Sequence, residues 1–142
     1  MESNQKIWVN VEAIINANIE TVWKKWITPK DIIAWNAASD DWHTTKAEND
    51  LRIGGRFTSR MEAKDGSMGF DFGGTYTNVI EHKLIESTLD DERRLKVTFE
   101  SDGNTTLVKE SFEAETENSV ELQQFGWQAI LNNFKMHVER GE

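Results

Sequence analysis

The sequence predicts an α+β fold in which a long carboxy-terminal helix packs across a curved antiparallel sheet of about six to seven strands. Three observations support this fold class. Residues 7–15 alternate in strand fashion, residues 53–112 form consecutive short strand patterns joined by turns, and residues 118–138 repeat apolar side chains at helical spacing. The 142 residues suit one domain, which we expect to span residues 1–142.

The first third of the chain predicts one strand followed by two short helices. In residues 7–15 alternate apolar side chains indicate a strand with one buried face. Asn18 is a suitable helix cap, and the helix after it carries Trp23 on an apolar face. Thr28 and Pro29 predict a second helix start, because threonine caps helices and proline suits the first helical position.

The middle of the chain predicts a loop and then a series of hairpins. Residues 36–53 have no clear period and indicate a loop that enters a short strand. Gly54 and Gly55 mark a tight bend, and Asp-Gly pairs at 65–66 and 102–103 are hairpin turn signals. Connections this short join antiparallel neighbours.

The last segment predicts one long amphipathic helix. Asn118 followed by Glu121 fits a capping arrangement, and Trp127, Leu131 and Phe134 fall on one helical face. This face and the apolar face of the sheet both need burial. We therefore expect the helix to cover the sheet.

Composition excludes several classes of function. The chain has 25 Asp and Glu and 16 Lys and Arg, which gives a net charge of −9. This charge disfavours nucleic acids and anionic membrane surfaces as partners. No cysteine is present, so disulfides and thiolate chemistry are excluded. Residues 1–6 lack the pattern of a signal peptide, and no apolar run is long enough to span a bilayer. We expect a cytoplasmic protein.

Five groups of residues carry a family resemblance. They are Val22, Trp23, Trp26 and Pro29; residues 33–36; DLRIGGRF at 50–57 with RMEAKDG at 60–66; GFDFGGTY at 69–76; and GWQAILNNF at 126–134. In this order and spacing they resemble the START-like (SRPBCC) superfamily and its helix-grip fold. Within it the chain is similar to the family named after the carboxy-terminal domain of the activator of the heat-shock chaperone ATPase. The resemblance covers residues 5–139.

The resemblance implies the helix-grip architecture, which tends to leave an elongated apolar cavity between helix and sheet. The same aromatic stripe is also typical of a core that fills this space itself. The candidates for the cavity walls are Trp35 and Trp42 at the mouth with His43 beside them, Met61, Phe70, Phe72, Tyr76 and Phe99 on the sheet, and Trp127 and Leu131 on the helix.

Three polar side chains are further candidates for the wall. Arg60 and Glu62 share the strand face opposite Met61, where they would form a surface ion pair of little energetic value. If they point into the cavity instead, they would orient a ligand or act in catalysis. The hydroxyl of Tyr76 would anchor a ligand, or be satisfied within the core.

Residues 40–43 place two aspartates, Trp42 and His43 next to one another. Such a cluster suits a general base or a metal ligand, but neighbouring residues of a strand point to opposite faces, which favours a solvated loop. His82 and His137 lie in unrelated segments. Since no metal-binding, nucleotide-binding or nucleophile-elbow spacing occurs, we predict no metal, no cofactor and no assigned catalytic residue.

Three hypotheses of function follow from the fold and these candidates. The first is binding of a small apolar or amphipathic molecule in the cavity. The second is a cyclase-like or hydrolase-like activity there, with Arg60, Glu62, His43 or Tyr76 as acid or base, which needs at least two inward titratable groups. The third is a chaperone ATPase-regulating role through the surface. An exposed tryptophan near the mouth would equally suit a homodimer surface.

Overall fold

Seven antiparallel strands form one curved sheet in the computed structural model, which describes residues 6–141. Residues 1–5 and residue 142 lie outside the described residues. Most of the segment for which no signal peptide was predicted, residues 1–6, is therefore not described. The elements in chain order are β1 (Trp8–Ile15), α1 (Ile19–Ile27), α2 (Pro29–Trp35), β2 (Trp42–Asn49), β3 (Arg56–Ala63), β4 (Gly69–Ile80), β5 (Leu84–Leu89), β6 (Arg94–Asp102), β7 (Thr105–Glu113) and α3 (Val120–Glu139).

The strands lie in the order β1-β7-β6-β5-β4-β3-β2, so consecutive strands from β2 to β7 are hydrogen-bonded neighbours and β1 closes the far edge. The α+β helix-grip fold class and its element order are confirmed. The interval 36–53, predicted as a loop that enters a short strand, contains the eight-residue strand β2. Its composition is polar, because an edge strand with an exposed face needs few apolar residues.

The helix caps agree only partly with the predictions. Asn18 caps α1, since its Oδ1 accepts a hydrogen bond from the Thr21 amide at 2.9 Å. Thr28 is the cap residue of α2 and Pro29 begins the helix, as predicted, but the Thr28 side chain makes no capping hydrogen bond to α2. The Thr28 hydroxyl donates instead to the Lys24 carbonyl at the end of α1, 2.5 Å away.

The cap of α3 is Ser119, and the prediction of Asn118 was wrong by one residue. The Ser119 hydroxyl accepts from the Leu122 amide at 3.1 Å. Asn118 is occupied otherwise, because its amide and side-chain nitrogen donate to the Glu115 carboxylate at 2.6 and 3.1 Å. Both residue types are good caps, and the turn before the helix decides which one is used.

Helix α3 lies along the edge strand β1 and covers it. Gln124 and Gln128 donate side-chain hydrogen bonds, each 3.0 Å long, to the Asn10 and Glu12 carbonyls. The Glu12 amide donates back to Gln128 Oε1 at 3.3 Å. These bonds occupy backbone groups of an edge that would otherwise be open to pairing with another strand.

The core lies between the sheet and the three helices. Leu131 and Phe134 of α3 are fully buried against it, together with Val22 of α1 and Val108 of β7. Within residues 6–141, none of the helices combines the length and apolarity needed to cross a membrane.

Candidate functional site

A cavity of about 340 Å³ lies between the inner face of the sheet and the helices. It exists because alternate residues of β3 and β4 point toward α3 without meeting it everywhere. Part of its wall consists of residues singled out in the sequence: Trp35, Met61, Phe70, Phe72, Tyr76 and Trp127.

Aromatic rings in contact with one another form much of the wall. Trp127 stacks on Phe112, with ring centroids 3.9 Å apart, and meets Phe72 edge-on at 6.0 Å. On the sheet, Phe57 packs between Phe72 and Tyr76, with centroid distances of 6.1 and 5.0 Å. Rings held in this way keep the wall apolar and limit its collapse.

Phe70 marks a mouth of the cavity, because it lines the space and is still 49% exposed. Trp42 does not itself line the cavity. Its ring lies 5.8 Å from that of Phe70, so it supports the mouth from outside. His43, the next residue, is also absent from the wall.

Two other candidates belong to the solid core and not to the wall. Phe99 is buried between the rings of Trp23 and Trp26, at centroid distances of 5.1 and 5.8 Å. Leu131 is fully buried. Both residues point toward the core as their strand or helix spacing predicts. The spacing alone does not tell a packed position from one beside a void.

Arg60 and Glu62 lie outside the cavity, on the opposite face of β3 from Met61. Arg60 Nε is 3.0 Å from Glu62 Oε2, and Arg60 Nη1 is 3.5 Å from Asp71. Their side chains are 40% and 38% exposed. The arrangement is the surface ion pair that the strand alternation favours, and it offers nothing to the cavity.

Tyr76 is buried in the wall, and its hydroxyl donates a hydrogen bond to Asn49 Oδ1. Asn49 in turn donates to the Ile27 carbonyl at 2.7 Å, so the pair ties the sheet to the end of α1. Burial raises the pKa of the Tyr76 phenol well above its usual value. Tyr76 is therefore a neutral hydrogen-bonding group and not a base.

Glu110 of β7 is a polar residue of the cavity wall that the sequence did not single out. It is only 5% exposed, and it pairs in register with Val11 of β1 and Val97 of β6. Its carboxyl group makes no hydrogen bond or ion pair with any described residue. Burial raises the pKa of Glu110 to about 8.

A signal for Glu110 was present in the sequence. Thr106, Val108, Glu110 and Phe112 alternate along β7, and all four are buried. A glutamate in phase with Val108 and Phe112 is a charged residue at an inward position. Such a position is rarely given to an ionisable side chain without a functional or structural reason.

Gln123 is the polar wall residue of α3, and its hydrogen-bonding groups are used by the chain itself. Its Nε2 donates to the carbonyls of Glu115 and Asn118 at 3.1 and 2.9 Å, and its Oε1 accepts from the Glu115 amide at 2.9 Å. Gln123 therefore fixes the connection between β7 and α3 beside the cavity.

The histidines do not converge on a site. His137 of α3 lies 2.9 Å from Asp31 of α2 and joins these helices, while the ring of His82 meets Trp23 edge-on. In the described part of the chain, no group of three or more His, Asp or Glu side chains is arranged to hold a metal ion.

The comparisons identify the family. The family model described as activator of Hsp90 ATPase homolog 1-like protein matches residues 16–139. The chain belongs to this family. The resemblance to the START-like superfamily is thereby confirmed, since the fold and the family agree.

Two solved structures that are similar to this chain have the same fold. An AHSA1-like protein from Aeromonas hydrophila is 48% identical, with 95% of this chain and 94% of that chain covered and a TM-score of 0.89. The protein Chr148 from Cytophaga hutchinsonii is 51% identical, with 96% and 93% covered and a TM-score of 0.79.

A more distant structure shares the fold alone. The protein CV1439 from Chromobacterium violaceum is 19% identical, with 93% of this chain and 96% of that chain covered and a TM-score of 0.81. No curated protein matches the chain. The family and the fold are thus established, and neither names a ligand.

Proposed function

We propose that this family member binds a small apolar or amphipathic molecule in the cavity between its sheet and α3. One observation carries the proposal: a space of about 340 Å³ is lined mainly by aromatic and aliphatic side chains and opens beside Phe70. Sites for small molecules are typically concave, largely apolar and supplied with few polar groups.

The binding energy would come from burial of the ligand's apolar surface. Each Å² removed from water contributes about 25 cal/mol, less the cost of ordering the ligand and the side chains at the mouth. The stacked pair of Trp127 and Phe112 holds one wall in place before a ligand arrives. A preformed wall keeps the ordering cost low.

The positions of the titratable side chains favour binding over catalysis. Arg60 and Glu62 face away from the cavity, His43 does not line it, and the Tyr76 hydroxyl is held by Asn49. An acid and a base directed at one substrate atom are what general acid–base chemistry needs. The side chains expected to supply them do not meet.

The test is a titration of the purified protein with decanol, an uncharged apolar probe. Binding is followed by the emission of the tryptophans in the wall and by calorimetry. We expect saturable binding at one site. The variant Ser59→Leu adds a larger side chain at a buried wall position and should weaken decanol binding about tenfold or more.

Thr58→Leu is the matched control, because Thr58 precedes Ser59 on β3 and points to the other face. It should bind decanol as the wild type does. Thermal melts check that both variants are folded. Absence of decanol binding by the wild type, or equal binding by Ser59→Leu, would contradict the proposal.

A chaperone-regulating role stays a prediction. The family description names an activator of an Hsp90 ATPase. Addition of this protein to such a chaperone, with ATP turnover as the readout, tests that role separately from ligand binding.

A further inference from the structure

The carboxyl group of Glu110 lies in a largely apolar wall and has no hydrogen-bond or ion-pair partner among the described residues. Glu110 is only 5% exposed, and it lines the cavity. No fully buried polar atom in the described part of the chain lacks a hydrogen-bond partner. Since the Glu110 oxygens have no partner among residues 6–141, they must reach the open space of the cavity.

The elements packed around Glu110 offer it no counter-charge. Val11 of β1 and Val97 of β6 flank it in the sheet, and the helices contribute only uncharged side chains to the cavity, such as Gln123 and Trp127. Burial without an opposing charge is expensive for a carboxylate, so a structural role in an ion pair is excluded.

The other charged groups of the wall already have partners. Arg93 is held by Asp91 at 2.7 Å, and Glu115 accepts two hydrogen bonds from Asn118. Glu48 pairs with Lys46 at 3.1 Å, where both side chains are exposed. The cavity wall therefore carries three carboxyl groups and one guanidinium. Of these four groups, only the carboxyl of Glu110 has neither a hydrogen bond nor an ion pair with a residue that the structure describes.

We propose that Glu110 binds the protonated amine of a ligand whose apolar body fills the cavity. A protonated amine supplies both the hydrogen-bond donors and the positive charge that the wall lacks. The wall's excess of carboxyl groups disfavours an anionic head group by the same argument. This inference rests on the proposed ligand-binding function and names its substrate class.

Binding of an amine is coupled to a proton. With a pKa of about 8, raised by burial, the Glu110 carboxyl is mostly neutral at pH 7 in the free protein. An alkylamine stays protonated like a lysine side chain, so formation of the pair ionises Glu110 and releases its proton to solvent. Affinity for the amine must therefore rise as the pH rises toward that pKa.

The experiment compares decylamine, decanol and decanoate, which share one alkyl chain and differ in head group. Each is titrated calorimetrically into the wild type, Glu110→Gln and Glu100→Gln at about pH 6 and about pH 8.5. Glu100→Gln is the matched control, because it removes the same charge from an exposed position of β6 outside the cavity wall. Decanol reports whether the cavity of each variant is intact.

We expect the wild type to prefer decylamine over decanol by about tenfold at the higher pH, and to bind decanoate least. The preference should shrink at the lower pH, and buffers of different ionisation enthalpy should reveal the released proton. Glu110→Gln should bind decanol normally and lose the preference. Glu100→Gln should keep it.

Equal binding of decylamine and decanol by the wild type would overturn this inference and leave the proposed function standing. The same holds if Glu110→Gln keeps the preference, or if the preference does not change with pH. Failure of all three compounds to bind the wild type would overturn both proposals.

Discussion

The indole ring of Trp127 on α3 lies face to face with the phenyl ring of Phe112 on β7, at an interplanar angle of 17°. Glu110 stands two residues before Phe112 on the same inward face of β7. The contact that joins the helix to the sheet therefore adjoins the unpaired carboxyl group. Helix packing and the chemistry of the cavity depend on the same strand.

Replacement of Trp127 by alanine should lower the free energy of unfolding by about 3 kcal/mol, because the stacked and edge contacts are lost together. Chemical denaturation measures the change. Phe125→Ala on the same helix is the control, since Phe125 is 75% exposed and should change the stability by less than about 0.5 kcal/mol. Similar losses in the two variants would argue against the anchoring role of Trp127.

Glu110 should make the stability depend on pH with a defined sign. Its pKa rises from 4.5 to about 8 on folding, so the folded state binds more protons between these values. The contribution is fully present below about pH 4.5, is lost as the pH rises, and is gone above about pH 8. The loss is on the order of 5 kcal/mol.

Glu110→Gln removes this dependence. The difference in unfolding free energy between variant and wild type should grow steadily in favour of the variant from about pH 5 to about pH 8. Glu100→Gln, at an exposed position of β6, should show no such trend. A constant difference for Glu110→Gln over this range would show that the carboxyl is not perturbed by burial.

His137 and Asp31 should be energetically coupled, because their 2.9 Å contact joins α3 to α2. A double-mutant cycle with alanine at each position should give a coupling of about 1 to 2 kcal/mol in the free energy of unfolding. The same cycle between His137 and Asp90 serves as control and should be additive. A coupling near zero for the contacting pair would mean that the two helices are held by apolar packing alone.

Ser119→Ala should cost about 1 kcal/mol of unfolding free energy, since the Leu122 amide loses its acceptor. Ser119→Asp retains a capping oxygen and should recover most of that loss. Thermal or denaturant unfolding gives both values. Equal destabilisation by the two substitutions would indicate that Ser119 acts through another contact.

Local patterns were sufficient for much of the fold. Asn18 as a cap, Pro29 as the first residue of α2 and the Asp-Gly turns depend on interactions within a few residues, and all appear where the sequence places them. Strand alternation correctly placed Met61 and Phe72 on the cavity face and Arg60 and Glu62 on the other. The direction of a side chain in a helix or strand depends on its position within a short segment, and the sequence of that segment therefore predicts it.

Strand pairing and helix docking determined the features of the fold and the cavity that local sequence patterns did not predict. The sequence by itself determined the order of elements and which side chains of β3 and β4 point inward. Only the tertiary structure decided that Phe99 and Leu131 pack solidly while Phe72 and Trp127 border a space, and that Glu110 lies unpaired between two valines. The physical reason is that voids and unpaired charges arise from distances between segments far apart in the chain, and no local pattern records these distances.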